Sequence, residues 1–512
     1  MIVRGKYAIL DPSSGEAGLT NDFAICVKGG LIADLGPYSE MTAKYPLEQV
    51  IGDGTQLMMP GLVDAHTHGA GLSFIQRGES FDFLENSLLD FETSLDVEPE
   101  INSMLNAVRH IQNGCTTIHH NNWSMPSDPN ETDNCARKIE AYQKTGIRLG
   151  FSLGIRNKNI LAYDDKNFLK TLPADLQKEA SYLVEIDQEA AVRDYFDAFS
   201  YLYKRYNGGA TRIFFGPSWV QGSTDDFLQK IKLRSTELGD IPIHLHCLQT
   251  PVQKAFGLRT YGKSLVGHLD DLGLVDRNLV LGHAVYLNQD DIELLGQKNA
   301  SVTHHPSCNL IMRNGIAPVY EMVRSGINVA LGIDEKCIND DEDAIMEMKM
   351  IYYLHRQSGI LLTGVPAFTP FDVMKIATKN GAVPSGFHDS IGVLEKGKCA
   401  DIILIDLHDI LENPWSAPNG SFGNIFIHRA LGRCVNTVII DGKPVMRDRK
   451  LLTIDKDALF AEAAKQASRG KTPEQLKYRD LLYRIKPYYQ KWYNSWLEDL
   501  ELSPFYKMNS RI

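Results

Sequence analysis

The chain has 512 residues, 43% of them apolar and 23% charged, the balance of a soluble globular protein built from more than one structural unit. A net charge of −11 without long blocks of one sign argues against nucleic acid or an anionic membrane surface as partner, and no apolar stretch is long enough to span a bilayer. Eight scattered cysteines without a Cys-x-x-Cys pair, and a start that lacks the apolar core of a signal peptide, lead us to expect a cytoplasmic protein.

Residues 1–57 read as short strands at 7–10, 23–27 and 31–35, separated by Gly, Asp and Pro. The same texture returns at 400–405 and 435–445. Because chain ends often lie close together, we expect residues 1–57 plus 385–450 to form one small composite β-sandwich. Between them, strand candidates recur at 61–66, 115–120, 147–153, 212–216, 241–246, 279–283, 300–304 and 328–333. Amphipathic helical stretches such as 223–238, 288–297 and 316–325 lie between most of them. Eight strand–helix units within 58–384 match the size and rhythm of a (β/α)8 TIM barrel, an α/β fold. The rival, an open doubly wound sheet, would favour a Gly-rich phosphate loop after its first strand, and none follows. The 155–185 stretch is longer than an ordinary connection and is a candidate lid. Residues 451–512 read as a helical, aromatic-rich tail, packed on the barrel or forming a subunit contact.

The chemistry gathers at strand ends. His66 and His68 form a His-x-His pair that faces one side of the first barrel strand. His244 and His246 end the fifth strand, His283 the sixth, His304 and His305 the seventh, and Asp334 the eighth. In a barrel these ends meet at one mouth, and so many imidazoles with one carboxylate predict a metal site there.

The wording around these residues resembles the amidohydrolase superfamily over nearly the whole chain. The matching segments are Pro60-Gly61-Leu62-Val63-Asp64-Ala65-His66-Thr67-His68, His283-Ala284-Val285-Tyr286-Leu287, His304-His305-Pro306-Ser307-Cys308-Asn309-Leu310, Leu331-Gly332-Ile333-Asp334 and the re-entry segment 391–401. The seventh-strand wording and Asn339 are similar to the branch holding triazine hydrolases and guanine and adenosine-type deaminases. The resemblance implies one divalent metal bound by His66, His68, His246 and Asp334, with His244 as the fallback ligand. The fourth strand has no lysine to bridge a second metal. Zinc suits three imidazoles and a carboxylate, and iron(II) is the alternative. Bound metal lowers the pKa of water, Asp334 would carry its proton, and His283 would orient the water or steady the oxyanion. A small-molecule substrate and a homo-oligomer are expected with it.

One position departs from that pattern. Family deaminases usually carry a glutamate three residues after the fifth-strand histidine, as proton shuttle; here Gln249 stands there. Glutamine exchanges hydrogen bonds but carries no proton. Either the substrate needs no ring protonation, or another acid such as His304 or Glu335 has taken over, or the register is shifted. The expected activity is therefore metal-dependent hydrolysis of a carbon–nitrogen bond other than a peptide bond, in a small cyclic nitrogen-rich molecule, aminohydrolase-like. Amide, urea-like or dehalogenating hydrolysis is the alternative, and a non-catalytic binding protein the remote one. Trp219, Gln221, His119, His304 and Asn309 are candidate substrate contacts, each with a packing role as its competitor. The acidic run 340–343 reads as a solvated helix start.

Overall fold

The computed structural model describes residues 1–91, 93–95, 97–124, 128–356, 367–417 and 420–506; the last six residues of the expected tail and residues 357–366 of the expected barrel lie outside the described residues. Five strands open the chain: β1 (Ile2–Ile9), β2 (Leu19–Lys28), β3 (Leu31–Pro37), β4 (Val50–Ile51) and β5 (Gln56–Pro60).

Eight parallel strands follow: β6 (Leu62–Thr67), β7 (Cys115–Ser124), β8 (Arg148–Ile155), β9 (Thr211–Phe215), β10 (Ile243–Cys247), β11 (Leu279–His283), β12 (Ser301–His304) and β13 (Asn328–Leu331). Each pairs with the next in chain order. They are buried almost throughout, because side chains fill the interior and helices cover the outside. Helix Asp225–Glu237 shows why the covering forms. Thr224 caps it by accepting from the Phe227 amide, two aspartates occupy its first turn, and Phe227, Ile231 and Ser235 recur every four residues on the buried face. Burying each such apolar side chain is worth about 1.5–3 kcal/mol.

The circle closes where β13 meets β6. The Asp334 amide donates to the His66 carbonyl at 2.7 Å, and the His68 amide donates to the Asp334 carbonyl at 3.1 Å. Asp64, fully buried on β6, reinforces the seam: its Oδ1 accepts from the His66 and Ile333 amides, and its Oδ2 lies 2.8 Å from His110 Nε2.

The chain then returns to the first sheet with β14 (Ile402–Asp406), β15 (Val435–Ile440), β16 (Lys443–Arg447) and β17 (Lys450–Leu451). The hydrogen-bonded path runs β17-β16-β15-β14-β5-β1-β2-β3, with β4 on β1. The sandwich is thus one continuous sheet folded over its own core of Val3, Ile25, Ile32, Ile402 and Ile439. Gly442 permits the fold-over: at φ 70°, a Cβ there would stand 2.8 Å from the Gly30 Cα. Arg148, at the start of β8, reaches both Asp401 carboxylate oxygens at 2.9 Å, with both side chains 2% exposed. This pair holds the sheet to the end of the barrel opposite the histidines.

The tail packs on the barrel. Helix Lys456–Ala467 buries Leu459 and Ala463 against Leu105 and Val108. Helix Pro473–Leu497 buries Leu482, Ile485, Tyr489, Tyr493 and Trp496 at helical spacing and contacts helices Leu84–Phe91 and Pro251–Tyr261. Tyr493 Oη accepts from the Tyr163 amide at 3.0 Å, which ties the tail to the long β8–β9 connection. The acidic run is only partly the solvated start expected. Asp343 caps helix Ala344–Leu354, but Glu342 is fully buried against Lys336.

Candidate active site

Barrel closure places the strand-end groups together. His66 Nε2 lies 3.1 Å from His246 Nε2, which lies 3.1 Å from His68 Nε2, which lies 3.1 Å from Asp334 Oδ1. The second ring nitrogens decide the tautomers. His68 Nδ1 is 2.8 Å from the Asn121 carbonyl and His246 Nδ1 2.8 Å from the Ser218 carbonyl. Carbonyls only accept, so both Nδ1 atoms carry the hydrogen; His246 Nε2 then presents a lone pair to the cluster, and His68 Nε2 shares a proton with Asp334 that a metal would displace. Three Nε2 atoms and one carboxylate oxygen this close together hold either a shared proton or a cation. The donor set therefore fits a divalent metal, with the outer hydrogen bonds that usually orient metal-bound imidazoles. Donor atoms of His66, His246, His283 and Asp334 all lie within 4.8 Å of one another.

Asp334 divides its two oxygens. Oδ1 faces His66 and His68; Oδ2 lies 3.5 Å from His283 Nε2 and 3.6 Å from His305 Nδ1, and accepts from Cys308 Sγ at 2.8 Å. His283 Nδ1 sits 3.0 Å from Asn309 Oδ1. His283 and Asp334 hold φ values of 71° and 69°, which L-residues adopt only when the surroundings enforce them. Both strands are turned sharply at the residue whose side chain must enter the mouth.

Burial and mutual charge set the protonation. Burial and the neighbouring imidazoles hold His66 well below its ordinary value, and burial with His68 and His283 pushes His246 down to about 3. Burial opposes charge on His68, but its hydrogen bond to Asp334 carries it up to about 9. Burial would raise the Asp334 carboxyl, yet His68, His283 and His305 keep it well below the carboxylate range. Two of the three clustered imidazoles are thus neutral, the form that binds metal.

Residues 57–445 match the amidohydrolase family. The chain belongs to the amidohydrolase family. It is 29% identical over 474 residues to a 5'-deoxyadenosine deaminase of Methanosarcina mazei, covering 91% of this chain and 97% of that protein. It is also 29% identical over 466 residues to a 5-methylthioadenosine/S-adenosylhomocysteine deaminase of Syntrophomonas wolfei, covering 89% and 96%. The fold is that of a zinc-bound adenosine deaminase from Xanthomonas campestris, with TM-score 0.74, 23% identity and 91% and 98% coverage. The protein is a hydrolase acting on carbon–nitrogen bonds other than peptide bonds, with a His/Asp site able to hold a metal.

The amidohydrolase's cavity measures about 350 Å³ and is lined by His68, His246, His283 and Asp334 together with Gln249, Trp219 and Glu335. Burial, with Asp334 alongside, raises the Glu335 carboxyl. The other sequence-derived candidates are not among its lining residues. His119 stacks on His244 at 3.6 Å and meets Ser152, while its neighbour His120 lines the cavity. His304 Nε2 lies 3.2 Å from His355 Nε2. Gln221 is fully buried in the turn Val220–Gly222, and Asn309 reaches the site only through His283. His244 Nε2 bonds the Pro384 carbonyl at 2.9 Å, outside the cluster. Sequence reasoning missed Asp64, His110 and Cys308 as groups that hold the ligand set. Asp64 lies within the first-strand motif, the only signal available for it.

Proposed function

We propose that this amidohydrolase releases ammonia from an amino-bearing, cyclic nitrogen-rich small molecule of the purine nucleoside class. One zinc ion would be held by His66, His68, His246 and Asp334. The observation that carries the reading is the convergence of three imidazole nitrogens and Asp334 Oδ1 at 3.1–3.8 Å spacing. Relatives named as deaminases that match along 96–97% of their length support the leaving group. Zinc bound there would lower the pKa of water towards about 7.

The chain's own groups then have distinct tasks. Asp334 Oδ2, on the His283 side of the carboxylate rather than towards His66 and His68, takes the proton of the attacking water and returns it to the departing amine. Asn309 fixes His283 so that its Nε2 faces Asp334 and accepts from the water's O–H. Gln249 offers an amide to a ring nitrogen but moves no proton, so proton transfer rests on Asp334. In this reading the barrel of residues 58–384 carries the chemistry, the sheet of 1–57 plus 385–450 braces its base, and the chain from 451 walls its mouth. The eight cysteines are free thiols, which supports a reducing compartment.

The test is ammonia release from adenosine, 5'-deoxyadenosine, 5'-methylthioadenosine, guanine and cytosine beside ureas, amides and a chlorotriazine. Rapid release from an aminopurine nucleoside is expected, and Asp334→Asn should lower kcat by about 10²–10⁴. Hydrolysis confined to amides, ureas or the chlorotriazine would overturn the proposal.

A further inference from the structure

A second cavity of about 630 Å³ lies beside the metal-lined one. Its walls come from the β8–β9 connection, through Leu161, Tyr163 and Leu183, and from helix Pro473–Leu497, through Leu482 and Tyr489. Leu88, Arg156 and Trp219 line both cavities, so the two abut across these side chains. Protein interiors are close-packed, and a space of this size is typical of a small-molecule site. The two segments that enclose it stand outside the strand–helix rhythm of the barrel and are fastened to each other and to its mouth. Tyr163 donates its amide to Tyr493 Oη, and its hydroxyl meets Glu85, which also accepts from Thr250 Oγ1 at 2.6 Å.

The lining specifies the occupant. It is mainly aliphatic and aromatic, with Glu185 and Asp187 exposed at the rim, where they disfavour anions. Arg156 is 7% exposed: its guanidinium stacks 4.2 Å from the Trp219 ring and 5.0 Å from the Trp123 ring, Nη1 donates to the Ile160 carbonyl, and its Nε has no partner among the described residues. Trp219 also connects this wall to the chemistry. Its ring lies 6.4 Å from His246, and the adjacent Ser218 carbonyl accepts from both the amide and Nδ1 of His246.

We propose that the second cavity is a subsite for an uncharged apolar substituent of the same substrate whose ring reacts in the metal-lined cavity. The preferred substrate is then elongated, with a hydrophobic arm. This rests on the purine nucleoside reading above. The test measures kcat/KM on 5'-alkylthio-5'-deoxyadenosines from methyl to hexyl. Wild type should gain up to about fourfold per added methylene. Leu183→Trp, which fills the cavity from its half-buried rim, should raise KM for the hexyl compound at least tenfold while its kcat stays within about twofold. Ile186→Trp, on the same wall, serves if the first variant unfolds. A hexyl-to-methyl preference that is absent from wild type or unchanged in the folded variant overturns the subsite. If no nucleoside is turned over, the functional reading fails, and N-phenyl-1-naphthylamine fluorescence decides the subsite alone. Binding to wild type that is lost in the variant supports it; equal binding, or none to either, overturns it.

Discussion

His244 and His246 stand two residues apart on β10, on one face of the strand, and burial pushes both down to about 3. Residue type, strand face and basicity do not separate them. Their partners do. His244 gives its Nε2 to the Pro384 carbonyl and stacks on His119, so its ring is consumed by packing. His246 gives its Nδ1 to the Ser218 carbonyl and points its Nε2 at two other imidazoles. A metal site is made where lone pairs converge, and a low pKa alone only reports burial.

Breaking this pair is the largest effect expected. His246→Ala should drop bound metal from about one per chain towards zero and lower kcat/KM by at least about 10⁴, since the metal is what lowers the pKa of the attacking water. His244→Asn should keep its metal, with loss confined to stability. Equal metal loss in both would erase the distinction. A smaller effect should follow from Asn309→Ala, which frees the His283 ring without removing it. About 10–100-fold in kcat, with metal content retained, is expected from the loss of such an orienting group. An unchanged kcat would show that Asn309 holds only its loop.

Glu85, in helix Leu84–Phe91 between β6 and β7, sharpens the point about burial by carrying an acid. Burial lifts it from an ordinary 4.5 to about 7, against hydrogen bonds from Thr250 and Tyr163. Its folded pKa exceeds the unfolded one, so its own contribution to stability is full below about pH 4.5 and is lost as pH rises through about 7. The loss amounts to at most about 3 kcal/mol. Glu85→Gln should flatten that decline in denaturant titrations from pH 5 to 8. The same slope in both proteins would contradict the assignment.

The barrel strands were legible because a parallel strand covered on both faces reads as an unbroken apolar run, and here most of those runs end in histidine. β6 through β13 fall on the eight expected segments, with ends shifted by a few residues. Alternation along a strand tells which face a side chain takes but not how deep it sits. That is why His119 and His304 read as substrate contacts yet pack against Ser152 and His355. His110 gave no signal at all, since it lies in a helix and reaches Asp64 only after the barrel closes. The second cavity was equally hidden. Its walls join Leu88, Tyr163 and Leu482, residues far apart along the chain that no local pattern links.

The central claim is that one divalent metal sits among His66, His68, His246 and Asp334 and makes this amidohydrolase work. Anomalous X-ray scattering from crystals of the active holoenzyme, collected on either side of the zinc edge, tests it most directly. The account predicts one peak, about 2.0–2.2 Å from the three Nε2 atoms and from an Asp334 carboxylate oxygen. A fully active enzyme with no peak there, or with its only peak among other residues, would contradict it.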